Sequence, residues 1–348
     1  MGISDRILGR KNLNGGPHID SIVPSFALAG GQVRISGSGL RPPELLRPKV
    51  RFGDYEGPIV VSSDAFVVTR VPEGATSGQV VVAIDGHVSN AQPVKVAVTI
   101  AESLHLVTNP ALDLDGNIYA TFSGSRGQKV PVSVYKIDTN YAVKPIVSEL
   151  MNPTSIAFDR DGQMYVSSRF DGAVYRVAPN GTMTTYAEGM GVATGIAFDR
   201  EESLYVGDRN GTIFKISRDQ QVFVFATLEI SVSAYHLAFS PSGDLFVTGP
   251  NDRVFKIDPS GTVSTFFKGL GRPQGLAFDI DGNLYVAASL GGIRGIVKIT
   301  PDAKANLEVS GQGLVGLAFA PGRSVILATS NAVHHLLWGI QGYRRLSE

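Results

Sequence analysis

The chain has 348 residues, 43% of them hydrophobic, with 31 Lys and Arg against 31 Asp and Glu and no cysteine. That length allows two domains with a sizeable core, and the balanced charge, with no basic block, argues against nucleic acid or an anionic membrane as main partner, since either rewards a concentrated positive field. Without thiols, disulfides and thiolate metal sites are excluded; the 40 glycines and 19 prolines, spread among apolar runs, read as many turns rather than disorder.

Residues 1 to about 16 are polar and glycine-ended, without amphipathic period, and are expected to form a loose arm. They hold no apolar stretch long enough for a signal peptide, and nothing downstream approaches a membrane-spanning length. The Met-Gly start lacks the Ser or Thr of a myristoylation signal, having Arg6 instead. The expectation is a soluble protein, cytoplasmic by default, with export left open.

From Pro17 to about Val98, short alternating strands are separated by Gly and Pro turns with no helical period, giving about seven strands, enough for one sandwich. Ile19 to Pro24 reads I-x-S-I-x-P. Gly30 to Leu40 reads G-G-x-V-x-I-x-G-x-G-L, followed by the Phe52-Gly53 pair, by Val71-Pro72 and by Ser77-Gly78. On these residues the segment 17–99 resembles the IPT/TIG family of immunoglobulin-like domains. The resemblance implies a spacer or a protein-binding module; DNA contact, known in some members, is disfavoured by the neutral charge.

Near Ile100 the grammar changes. The stretch 271–289, GRPQGLAFDIDGNLYVAAS, recurs in imperfect copies aligned on Ala111, Ala157, Ala197, Ala238, Ala277 and Ala318, at spacings of 46, 40, 41, 39 and 41 residues. Each copy is a short apolar run, an Asp/Gly turn and a β-prone run. That second run carries Tyr119, Tyr165, Tyr205, Phe246 or Tyr285, and Ile326 in the last copy. The turns suit hairpins, because Gly and Asn accept positive backbone angles. An alternating third strand and a fourth complete the unit, and four strands per roughly 40 residues is a β-propeller blade. The expected fold class is therefore all-β: an N-terminal Ig-like sandwich, then a six-bladed propeller over 100–348. Closure is expected by exchange, with an entering strand at about Ser103 to Val107 completing the final blade and Trp338 packed at that seam.

The motifs NPTSIAFDRDGQMYVSS, RPQGLAFDIDGNLYVAAS and VFKIDPSGTVSTF make this region resemble NHL-repeat and gluconolactonase-like (SMP-30-type) propellers. The resemblance implies, for the enzymes of that group, a divalent metal at the channel mouth that polarises a lactone carbonyl and activates water. The chain departs from the ligand pattern. Thr108, Asn109 and Pro110 stand where the family shows E-G-P, Ala234 to Ala238 where it shows S-N-G-L-A, and Pro273 to Ala277 where it shows P-D-G-L-A. An alternative metal set would draw on Asn109, Asn152 and His236, with calcium or magnesium as the cation.

Two further patterns invite chemistry. D-x-D-G at Asp113, Asp159 and Asp279 looks like the start of a calcium loop, but the twelfth positions are Gly124, Phe170 and Leu290, so turn formation is the expected role. Arginines follow the second strand in five copies, Arg126, Arg169, Arg209, Arg253 and Arg294, and would form a broken ring at the channel mouth suited to acidic groups; the plainer reading pairs each with a local acid such as Asp171, Asp208 or Asp252. Of the histidines, only His236, just before a leading strand, is placed for a general base. His334 and His335 alternate across one strand and cannot share a site.

Together these readings make the chain a non-catalytic ligand- or protein-binding propeller with an Ig-like accessory domain. Its site would lie at the channel mouth, built from Asn109, Asn152, Thr194, Tyr235, His236 and Gln274 with the loop arginines, and would take a small acidic or carbohydrate ligand or a protein partner. The alternative is a metal-dependent hydrolase or lyase acting on a sugar lactone or related small molecule, with His236 as its candidate base.

Overall fold

The computed structural model describes residues 16–41, 47–125, 127–230, 233–249 and 251–344. The arm expected at the start of the chain lies, up to position 15, outside the described residues, and so does Arg126. Every regular element among the described residues is a strand, and no helix is long and apolar enough to cross a membrane. The chain divides into two compact units, one up to Val96 and one from Ala97.

In the first unit one sheet orders His18–Val23, Gln32–Ser38, Phe66–Arg70 and Ile59–Ser62. The other orders Phe26–Ala27, Gln92–Val96, Gly78–Ile84, Lys49–Phe52 and Tyr55–Gly57, with His87–Val88 returning on Gly78–Ile84. These are ten strands where about seven were expected, and three of the ten are only two or three residues long. Alternation decides which face is buried: along Gly78–Ile84 it is Val80, Val82 and Ile84 that turn inward. They join Ile19, Ile35, Val50 and Val67 in the core between the sheets.

The second unit holds six sets of four antiparallel strands. Their leading strands are Ala111–Leu112, Pro153–Phe158, Ala193–Phe198, His236–Phe239, Leu276–Phe278 and Leu314–Ala320. Each lies against the next, and the sixth lies against the first. The repeated aromatic explains this packing. Tyr119 meets Phe158 edge-on at 5.0 Å, Tyr165 meets Phe198 at 5.0 Å, Tyr205 meets Phe239 at 5.0 Å and Phe246 meets Phe278 at 4.9 Å, so the second strand of one sheet grips the leading strand of the next. The D-x-D-G segments perform turn chemistry. Asp113, Asp159 and Asp279 each accept a backbone N–H four residues on at 2.8 Å and the hydroxyl of their sheet's tyrosine at 3.1 Å, while Gly116, Gly162 and Gly282 take positive φ.

The strand that completes the sixth sheet is Val98–Glu102, paired antiparallel with Ala332–Leu337, and not Ser103–Val107. The β-branched run Val98, Thr99, Ile100 makes the strand, and Ser103, at φ +60°, ends it. A single bond, Leu104 N–H to the Asn331 carbonyl at 3.0 Å, continues the contact. Trp338 follows directly on Ala332–Leu337, the partner of that strand. It stacks on Phe319 at 6.0 Å and meets Tyr285 edge-on at 5.1 Å, between the fifth and sixth sheets. Beyond it the chain turns back over the fifth sheet: Ile280 N–H reaches the Gln341 carbonyl and Tyr343 N–H the Phe278 carbonyl, and Arg344 donates to the Asp113 carbonyl at 3.1 Å.

Candidate functional site

Antiparallel pairing puts the loop after the second strand at the same end of a sheet as the segment entering the leading strand. That end carries the candidate residues, and the structure gathers them into small separate groups. Asn152 is fully buried; its amide donates to the Gly124 and Ser125 carbonyls at 2.8 and 2.9 Å and accepts from Gly127 N–H at 2.8 Å. Arg169 joins this group through the same Gly124 carbonyl at 3.3 Å. Thr194 donates to the Gly207 carbonyl at 2.8 Å and accepts from Tyr235 N–H at 3.1 Å, while the Tyr235 hydroxyl donates to the Glu229 carbonyl. Asn109 stands apart, donating to the Leu276 carbonyl at 2.8 Å and accepting from Leu317 N–H at 3.0 Å.

The third group is His236, Gln274 and Arg294. Arg294 donates through Nε to the Leu314 carbonyl at 2.9 Å, through Nη1 to the Arg272 carbonyl at 2.7 Å, and through Nη2 to Gln274 Oε1. All these acceptors are neutral. Burial, and then the charge of Arg272, bring the Arg294 pKa down to about 10. His236 is 4% exposed; burial first, and the Arg294 charge second, push its pKa down to about 4. An imidazole so placed is neutral and enclosed. Among the other arginines, Arg253 pairs at 3.0 Å with Glu229, rather than with Asp252, and the Nε of Arg209 is buried without a hydrogen-bond partner among the described residues. Asp171 is engaged by Ser168 and Tyr175, and Asp208 by Val192 N–H.

One residue of this end was missed by sequence reasoning. Arg272 is exposed beside Arg294, at φ +47°, in the residue before the R-P-Q turn's proline. Its signal was its place within the organising repeat, two positions ahead of Gln274.

A divalent cation does not suit the residues found. Both amide atoms of Asn109 and of Asn152 are spent on backbone groups, and His236 faces a guanidinium that repels a cation. Among the described residues no three His, Cys, Asp or Glu are grouped to hold a metal.

Comparison with known proteins gives the class. Residues 17–100 match the IPT/TIG domain model. A gluconolactonase from Xanthomonas campestris superposes with a TM-score of 0.59 at 14% identity, over 68% of this chain and 88% of that one. An auxiliary nutrient binding protein from Bacteroides thetaiotaomicron superposes with 0.56 at 14%, over 92% and 98%, and a streptogramin B lyase with 0.52 at 15%, over 80% and 92%. No curated protein matches the chain. Residues 17–100 are thus an IPT/TIG domain, and the second unit shares the β-propeller fold of the gluconolactonase. At these identities the likeness is one of fold.

Proposed function

We propose that this chain is a non-catalytic binding protein: an IPT/TIG domain over residues 17–99, followed by a closed propeller whose six sheets are its six blades. The arginine-bearing end of the blades receives a small acidic or carbohydrate ligand, or an acidic side chain of a protein partner. The observation that supports this reading is Arg294, a half-buried cation whose acceptors are all neutral, with exposed Arg272 beside it. Such a site carries positive charge for which no carboxylate partner is found among the described residues, and an anion at Arg272 is its natural complement. The buried Nε of Arg209 adds a donor awaiting an acceptor.

A lactone hydrolase receives less support from the same end. His236 is enclosed, stays neutral and is oriented by no carboxylate among the described residues, and the two asparagines offered as ligands hold backbone instead. The test is calorimetric titration of the full chain with D-glucuronate, D-galacturonate and citrate, against the variant Arg209→Glu/Arg272→Glu. The expected result is binding to the parent, weakened about tenfold or more in the variant. An unchanged dissociation constant, or no binding of any acid by the parent, overturns the reading.

A further inference from the structure

The opposite end of the sheets, where the leading strands turn into their hairpins, carries a crevice between the third and fourth sheets with a volume of about 250 Å³. At ~30 Å³ per water this is room for about eight waters. Its walls are aromatic: Tyr205 meets Phe225 at 4.9 Å and Phe239 at 5.0 Å, and Tyr343 closes one side from the returning chain. Its polar groups are of both signs. Lys215 Nζ lies 3.6 Å from Asp199 Oδ2 and 5.3 Å above the Tyr205 ring, and facing them are the hydroxyls of Ser240 and Ser242, 2.8 Å apart.

The neighbouring crevice, between the second and third sheets, is built on the same register but strapped. There Arg160 of one hairpin reaches Glu202 of the next, with its backbone N–H at 3.0 Å and its Nε at 3.8 Å from the carboxylate. One sheet further, the position of Glu202 is taken by Gly243, and a Cβ added there would meet nothing within 4 Å. The hairpin Asp is likewise replaced by Ser240, so the fourth sheet presents hydroxyls where its neighbours present carboxylates.

We propose that this crevice binds a neutral monosaccharide. A sugar hydroxyl both donates and accepts, and it therefore matches the Asp199 carboxylate, whose Oδ1 takes the Ser203 N–H at 2.8 Å while its Oδ2 faces the Lys215 ammonium at 3.6 Å. The Ser242 hydroxyl already donates to Asp244 Oδ2 at 2.9 Å and Ser240 Oγ accepts the Asp244 N–H at 3.1 Å, so the serine pair offers lone pairs to a sugar hydroxyl, and the apolar face of a pyranose ring packs on the aromatic wall. A charged ligand fits less well, because the lining carries charge of both signs, Asp199, Glu201 and Asp258 against Lys215 and Arg200.

The site is distinct from the arginine end, and the variants separate the two. Saturation-transfer NMR and calorimetry on the full chain, with D-glucose, D-galactose and D-mannose as probes and D-glucuronate as the acidic control, read the binding. Gly243→Glu places a side chain where Glu202 stands next door; Glu202 itself sits at φ +64°, so an acid is tolerated in that backbone conformation. Lys215→Met removes the ammonium and keeps the stem. The expected result is binding of at least one neutral hexose, weakened about tenfold or more in both variants and unaltered in Arg209→Glu/Arg272→Glu. The proposal fails if no hexose binds the parent, if binding survives in both variants, or if only glucuronate binds.

Discussion

The side-chain amide of Asn109 donates to the carbonyl of Leu276, 167 positions further along the chain, at 2.8 Å, while its oxygen accepts the N–H of Leu317, 208 positions away, at 3.0 Å. One residue entering the first sheet therefore holds the leading strands of the fifth and sixth. The approach is close because two glycines line it. A Cβ on Gly275 would fall 1.9 Å from Asn109 Oδ1, and one on Gly316 would fall 2.6 Å from the Asn109 Cα.

Asn109→Ala strips partners from two backbone groups at once. With about 1–3 kcal/mol for each group left unsatisfied, the expected loss of stability is roughly 2–6 kcal/mol. Urea denaturation of the variant should show a lower midpoint with an unchanged slope; a midpoint equal to that of the parent would mean that water replaces the amide at no cost.

His236 links stability to acid. Its folded pKa, about 4, lies below the ordinary 6.5, so as pH falls the unfolded chain takes up the proton first. The stability is intact above about pH 6.5, declines from there, and has fallen by roughly 3 kcal/mol when the pH reaches the folded value. Arg294 is the charged group that faces the ring and adds to burial in the same direction. In His236→Gln the loss between pH 6.5 and 4 should be smaller, as read from melting temperatures across that range; parallel curves for the two proteins would remove His236 as the cause.

Divalent cations should leave the melting temperature where it is. A ligand that prefers the folded state raises it by mass action, and the asparagine amides and His236 do not offer a cation a place. Scans in EDTA and in calcium, magnesium, manganese or zinc should coincide. A metal-dependent rise, with turnover on a lactone panel, would restore the hydrolase alternative.

Much of the fold was readable before any coordinates. The recurring apolar run, Asp/Gly turn and aromatic strand gave the four-stranded unit, because each depends on neighbours within a few residues: Asp159 on Gln163 and Tyr165, for instance. What depended on distant partners was not readable. Asn109 and Asn152 carry the same side chain as a metal-binding asparagine, and only the backbone that approaches them, at Leu276 or Gly124, gives them their work. The arginine positions were recognisable as loop positions, but the neutral carbonyls that hold Arg294 leave no mark in a sequence. The closing strand begins five residues before the run Ser103–Val107, because Val98 and Thr99 also read as the end of the preceding domain.

The pairing of Val98–Glu102 with Ala332–Leu337 joins segments whose paired residues Thr99 and His334 are 235 positions apart. During synthesis the earlier segment leaves the ribosome long before its mate exists, with a bare hydrogen-bonding edge. A chain interrupted before Ala332 is accordingly an unlatched horseshoe with two adhesive tips. The sixth sheet therefore has its full four strands only once Ala332–Leu337 has been made and has found Val98–Glu102.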